Sequence, residues 1–93
     1  MSEKAGEDIS EWRKRIDELD LELIRMLNER AHCAIALGRI KRSRNLAIYD
    51  PGREESVIDL AIRANRGPLS NEGLREIYQV ILQVAKREAA ALG

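Results

Sequence analysis

The chain has 93 residues, and its 16 lysines and arginines balance 16 aspartates and glutamates, for a formal net charge of zero. This length holds one small domain, and a charge balance without basic excess argues against a general nucleic-acid binder. Cys33 is the only cysteine, which excludes a disulfide scaffold, and no apolar run approaches the ~20 residues needed to span a bilayer. Trp12, Tyr49 and Tyr78 are the only aromatic residues, Phe is absent, and charged residues make up 34%. That is the composition of a helical protein. Residues 1–8 are polar and lack the apolar stretch of a signal peptide. They are expected to be a disordered lead-in to a single helical domain over 9–93, located in the cytoplasm.

From Ile9 to about Arg42 there is no proline and a single glycine, Gly38. Ile9, Trp12, Ile16, Leu19, Leu23, Met26, Cys33, Leu37 and Ile40 recur at alternating three- and four-residue spacing, the heptad seam of a helix that packs along its length. Such a helix is roughly 50 Å long, whereas a compact domain of this size is about 25–30 Å across. The helix must overhang its own fold, and a second copy of the chain is the simplest cover. A domain this short buries only about 60% of its unfolded surface, which also favours oligomerisation. Ser43–Tyr49 reads as a loop. Asp50-Pro51 supplies an N-cap followed by proline at the first helical position, the start of a second helix running to about Asn65. Its buried face is Val57, Ile58, Ala61 and Ile62, and Arg66-Gly67-Pro68 ends it. Ser70 caps a third helix whose apolar positions are Leu74, Ile77, Tyr78, Ile81, Leu82, Ala85, Ala89 and Leu92. The expected fold is all-α, with one very long, one short and one medium helix and no strand.

One a-type position of the first seam is not apolar: Arg30, between Leu23 and Leu37. Its guanidinium either snorkels to the edge or pairs with a nearby Glu, or it waits in the seam for an anion. Lys41 lies eleven residues later, within ~20° of the same face and about 16 Å away. The two cations bracket room for a small anionic molecule, although Lys41 taken singly suits a solvated surface equally well. A second cluster is Tyr49-Asp50-Pro51-Gly52-Arg53-Glu54. Arg53 and Glu54 fall in the first turn of the second helix, where free backbone amides favour a bound carboxylate; exposed charges at a capped helix start are the plainer reading. His32 and Cys33 are adjacent and face apart on a helix, the chain has no second His or Cys, and no glycine-rich phosphate loop is present.

The order and spacing of Trp12-Arg13-Lys14-Arg15-Ile16-Asp17-Glu18-Leu19-Asp20, Leu27-Asn28-Glu29-Arg30, Gly38-Arg39-Ile40-Lys41, Tyr49-Asp50-Pro51-Gly52-Arg53-Glu54 and Gly67-Pro68-Leu69-Ser70-Asn71-Glu72 resemble the all-helical class of chorismate mutases over about residues 9–92. The resemblance implies an intertwined homodimer with two equivalent sites, each built from both chains. It implies that Arg30 and Arg53 hold the two carboxylates of chorismate with help from Arg13 of the other chain. Lys41 would reach the ether oxygen and a carboxylate, Glu54 would accept from the ring hydroxyl, and Asp50 would support that end of the site. Arg13 and Lys41 are 28 residues apart in sequence, about 42 Å along one straight helix, so a site holding both requires two chains. Conversion of chorismate to prephenate is a concerted rearrangement within one molecule and needs no metal or cofactor. Fixed cations and a restrained substrate conformation are what a protein can add.

The last helix departs from the family. A small polar residue and, one turn later, a Gln or Glu donor to the ether oxygen are replaced here by Ala85 and Ala89. Losing a donor aimed at developing charge costs on the order of 3–4 kcal/mol. Lys86, three residues before Ala89 and expected near Arg30 and Lys41, is the candidate replacement. Two other readings remain open. One is a mutase or lyase acting on the 4-amino analogue of chorismate or on isochorismate. The other is a weakly active module that depends on an aromatic-pathway enzyme partner.

Overall fold

The computed structural model describes residues 8–92. It is all-α: α1 spans Ile9–Ser43, α2 Pro51–Ala64 and α3 Asn71–Leu92, with no strand among the described residues. The expected helices are all present, with ends within a residue or so of the sequence reading. The expectation of a lead-in over 1–8 falls outside the described residues except at Asp8. There the carboxylate accepts from the Ser10 hydroxyl at 2.7 Å and the Ser10 amide at 2.8 Å. Chiefly the hydroxyl contact, and then the amide, holds the Asp8 carboxyl below its ordinary pKa.

The chain divides into two units, residues 1–30 and 31–93. In the first, α1 is helical and exposed on every face up to Glu29. Its polar side carries pairs one turn apart, Arg15–Glu18 at 3.8 Å and Arg25–Glu29 at 2.9 Å, worth a few tenths of a kcal/mol each. Its apolar stripe lies open: Ile9, Trp12, Ile16, Leu19, Leu23 and Met26 are all exposed.

The second unit contains the end of α1, α2 and α3. Helix α1 stops in a Schellman-type turn. Asn45 takes the left-handed conformation at φ 57°, its amide donates to Arg42 O at 3.1 Å, and the Leu46 amide donates to Lys41 O at 2.7 Å. Asparagine tolerates this backbone better than most residues, which explains why the helix ends where the sequence turns to Ser and Asn. Asp50 caps α2 through its Oδ1, which accepts from the Arg53 amide at 3.1 Å, with Pro51 in the first turn. At the other end the Asn65 side chain organises the turn into α3. It accepts from the Gly67 amide and donates to Leu69 O and Asn71 Oδ1, at 2.9–3.0 Å. Ser70 then caps α3, its Oγ accepting from the Gly73 amide at 3.0 Å.

Among the described residues, Ile58 of α2 and Ala89 of α3 are the buried apolar residues, at 4% and 3% exposure, and Gly38 of α1 is buried with them. Val57, Ala61, Ile62, Leu74, Tyr78, Ile81, Leu82 and Ala85 are half-buried, as the amphipathic pattern predicts, whereas Ile77 is 46% exposed. Gly38 faces Ala89 so closely that a Cβ on Gly38 would fall 3.3 Å from the Ala89 Cβ. Helix α3 has no basic residue in its last turn. Its terminal carbonyls are met instead from α1: Arg39 donates to Leu92 O at 3.3 Å and Arg42 to Ala90 O.

This crossing sets an expectation for stability. Gly38→Leu should lower the unfolding free energy by about 1–3 kcal/mol through overpacking. In Gly38→Ala the crowding is offset by about 1 kcal/mol of helix propensity, leaving it near neutral. Urea denaturation at fixed protein concentration measures both; a Gly38→Leu protein as stable as the parent would contradict the close approach.

Candidate functional site

The second unit brings together residues from α2, α3 and the loop between α1 and α2. The Asp50 cap fixes the first turn of α2, and from that turn Glu54 projects toward α3. Its Oε2 lies 3.9 Å from the Lys86 ammonium nitrogen, with the two side chains 31% and 41% exposed respectively. The same nitrogen stands 4.1 Å from the centroid of the Tyr49 ring. Lys86 thus lies against a carboxylate and an aromatic face, where the sequence reading placed it beside the cations Arg30 and Lys41. At this exposure the ion pair contributes no more than about 1 kcal/mol to stability. Its interest is that it holds opposite charges side by side at a partly open surface.

Ala85 lies half-buried one residue before Lys86, and Ala89 is buried against Gly38. The methyl of Ala89 is therefore part of the helix crossing, and alanine supplies no donor there. Lys41 is half-buried in the last turn of α1. Asp50 and Arg53 are exposed; the Asp50 carboxylate is engaged by the Arg53 amide, which leaves the Arg53 guanidinium to solvent or ligand. Arg13 and Arg30 belong to the first unit, Arg13 exposed and Arg30 half-buried. The Arg30 guanidinium has no hydrogen bond or ion pair to another described residue; the neighbouring ion pair uses Arg25 and Glu29. Among the described residues no three of His, Cys, Asp and Glu gather to hold a metal ion.

Sequence reasoning singled out Glu54 and Lys86 separately but missed their contact. Tyr49, given no task of its own by the sequence, is 52% exposed and lies under the Lys86 ammonium. Its place directly before the capping Asp50 was the available signal. Arg39 and Arg42 were missed as caps, although the absence of basic residues from the last turn of α3 left a need for them.

A family model described as chorismate mutase type II matches residues 12–89. A bifunctional chorismate mutase/prephenate dehydratase of Aquifex aeolicus (strain VF5) is 40% identical over 80 residues, covering 82% of this chain and 22% of that protein. The chain thus spans about a fifth of the length of such bifunctional relatives. A chorismate mutase of Methanocaldococcus jannaschii is 28% identical over 78 residues, covering 83% of this chain and 79% of the relative. Among solved structures, a chorismate mutase (form II) from Thermus thermophilus superposes with a TM-score of 0.87 at 29% identity, covering 88% of this chain and 93% of that one.

The cap that carries Arg53 and Glu54 can be tested by itself. Asp50→Ala should cost about 1 kcal/mol of stability, while Asp50→Asn, which keeps an acceptor, should retain most of it. Equal denaturation midpoints for the parent and Asp50→Ala would show that the cap does not hold α2.

Proposed function

Because the chain belongs to the type II chorismate mutase family, we propose that it catalyses the rearrangement of chorismate to prephenate. The observation that carries this reading is the extent of the family match: residues 12–89 include every site residue named below. The reaction breaks the ether C–O bond and forms a C–C bond within one substrate molecule, so no nucleophile is required. The protein contributes a compact substrate conformation and positive charge beside the ether oxygen as its bond breaks.

In this proposal Arg30 and Arg53 hold the substrate carboxylates, assisted by Arg13 of the partner subunit. Lys41 binds the ether oxygen and a carboxylate. Glu54 accepts from the ring hydroxyl, and Asp50 supports that end of the site by fixing the start of α2. Ala85 lines the site beside Lys86, and Lys86 supplies the positive contact that Ala89, packed against Gly38, does not. The shared site requires an intertwined homodimer. The open stripe of Ile9, Trp12, Ile16, Leu19, Leu23 and Met26 supports one, since a second α1 is the surface that would cover it. No described helix is long and apolar enough to cross a membrane, and we place the reaction in the cytoplasm. A partner enzyme acting on prephenate fits the same reading, because the bifunctional relatives join a prephenate dehydratase to a segment like this one.

Chorismate consumption by the purified protein, with the product identified, tests the proposal. Prephenate is expected. Turnover of the 4-amino analogue alone, or release of pyruvate from isochorismate, would overturn it in favour of a related reaction. Arg30→Ala should abolish turnover while keeping the helical circular dichroism. Arg13→Ala and Arg53→Ala should each be nearly inactive, yet their mixed dimers should regain up to about half the activity, since one of the two sites is then intact. No recovery after verified subunit exchange would place both arginines in the same chain's contribution.

A further inference from the structure

Lys86 is held from two sides. Its ammonium nitrogen is 4.1 Å from the Tyr49 ring centroid, well within the ~6 Å over which a ring face attracts a cation. It is 3.9 Å from Glu54 Oε2, close enough for ionic attraction but beyond the ~2.9 Å typical of a hydrogen bond. A lysine and a carboxylate free to meet would close to about 2.7–2.9 Å. The ring face holds the nitrogen short of that contact. The Lys86 ammonium makes no hydrogen bond to another described residue, so its three N–H donors stay open, as do the lone pairs of Glu54 beside them.

We infer that Tyr49 is a positioning residue: its ring face keeps the Lys86 ammonium close to, but not bonded with, the Glu54 carboxylate, so that a substrate can donate to one and accept from the other. The inference rests on the proposed mutase activity, in which Lys86 faces the ether oxygen and Glu54 the ring hydroxyl. Tyr49 suits the task by its place in the chain. It directly precedes Asp50, whose cap fixes the start of α2, so the ring and Glu54 are held by the same helix start while Lys86 arrives from α3. Without the ring, a side chain that is 41% exposed either collapses onto Glu54, which removes both groups from use, or swings into water. The attraction comes from the π face and not from the hydroxyl, so phenylalanine serves and leucine does not.

The test uses the full chain, with 13C-labelled lysine, in two readouts. In the parent and in Tyr49→Phe, ring current should shift the Lys86 ε-methylene protons upfield; in Tyr49→Leu they should return to the position of a free lysine, with Lys86→Met giving the assignment. In chorismate turnover, Tyr49→Leu should lower kcat about two- to fivefold, the worth of a cation–π contact at an exposed site, with KM little changed. Tyr49→Phe should restore the rate, and Tyr49→Leu should add no further loss to Lys86→Met. An active parent whose rate is unchanged by Tyr49→Leu, or an unshifted Lys86 in the parent, overturns the role of Tyr49. A shifted Lys86 in a parent without turnover overturns the mutase reading, and the catalytic role of Tyr49 with it, while leaving the contact itself established.

Discussion

The end of α1 can lie against α3 only because neither helix carries more than a methyl group at the crossing. Gly38 and Ala89 are both buried there, with a Cβ on Gly38 placed 3.3 Å from that of Ala89. The close approach brings the last carbonyls of α3 within reach of Arg39 and Arg42, which are three residues apart on one face of α1. Those two guanidiniums replace the basic last turn that α3 lacks. The crossing thereby fixes the end of α3, one turn beyond Lys86.

The cations near the end of α1 divide by task. Arg39 and Arg42 satisfy helix carbonyls, whereas Lys41, between them in sequence and half-buried, makes no ion pair with a described residue. On α3, Lys86 answers Glu54 and Tyr49. Such a surface suits a small dianion with a neutral donor group. Under the proposed function, positive charge meets the substrate carboxylates and the oxygen on which charge develops, while Glu54 is left to accept a hydrogen bond. Preorganised charge of this kind stabilises a transition state without reorganising as the reaction proceeds.

Sequence exposed what depends on near neighbours. The Asp50-Pro51 start, the Ser70 cap and the breaks at Asn45 and Gly67 all arise from contacts within a few residues, and each lies where the local chemistry places it. Hidden from it were the pairings of residues far apart in the chain: Gly38 with Ala89, Arg39 with Leu92, Glu54 with Lys86 and Tyr49 with Lys86. Glu54 and Lys86 were recognisable as candidates, but the sign of the nearest charge to Lys86 was not. Periodicity places a residue on a face without saying which residue of another helix meets that face. The heptad stripe of α1 was fully legible, and its residues from Ile9 to Met26 are exposed.

If the chain catalyses the proposed rearrangement, its cations are complementary to the rearranging substrate more than to the stable one. Calorimetric titration with a stable bicyclic dicarboxylate that mimics the rearranging conformer measures this most directly. One molecule should bind per chain, at least about a hundredfold tighter than prephenate, as expected for a transition-state mimic. Binding no tighter than that of prephenate, or no binding at all, would contradict it.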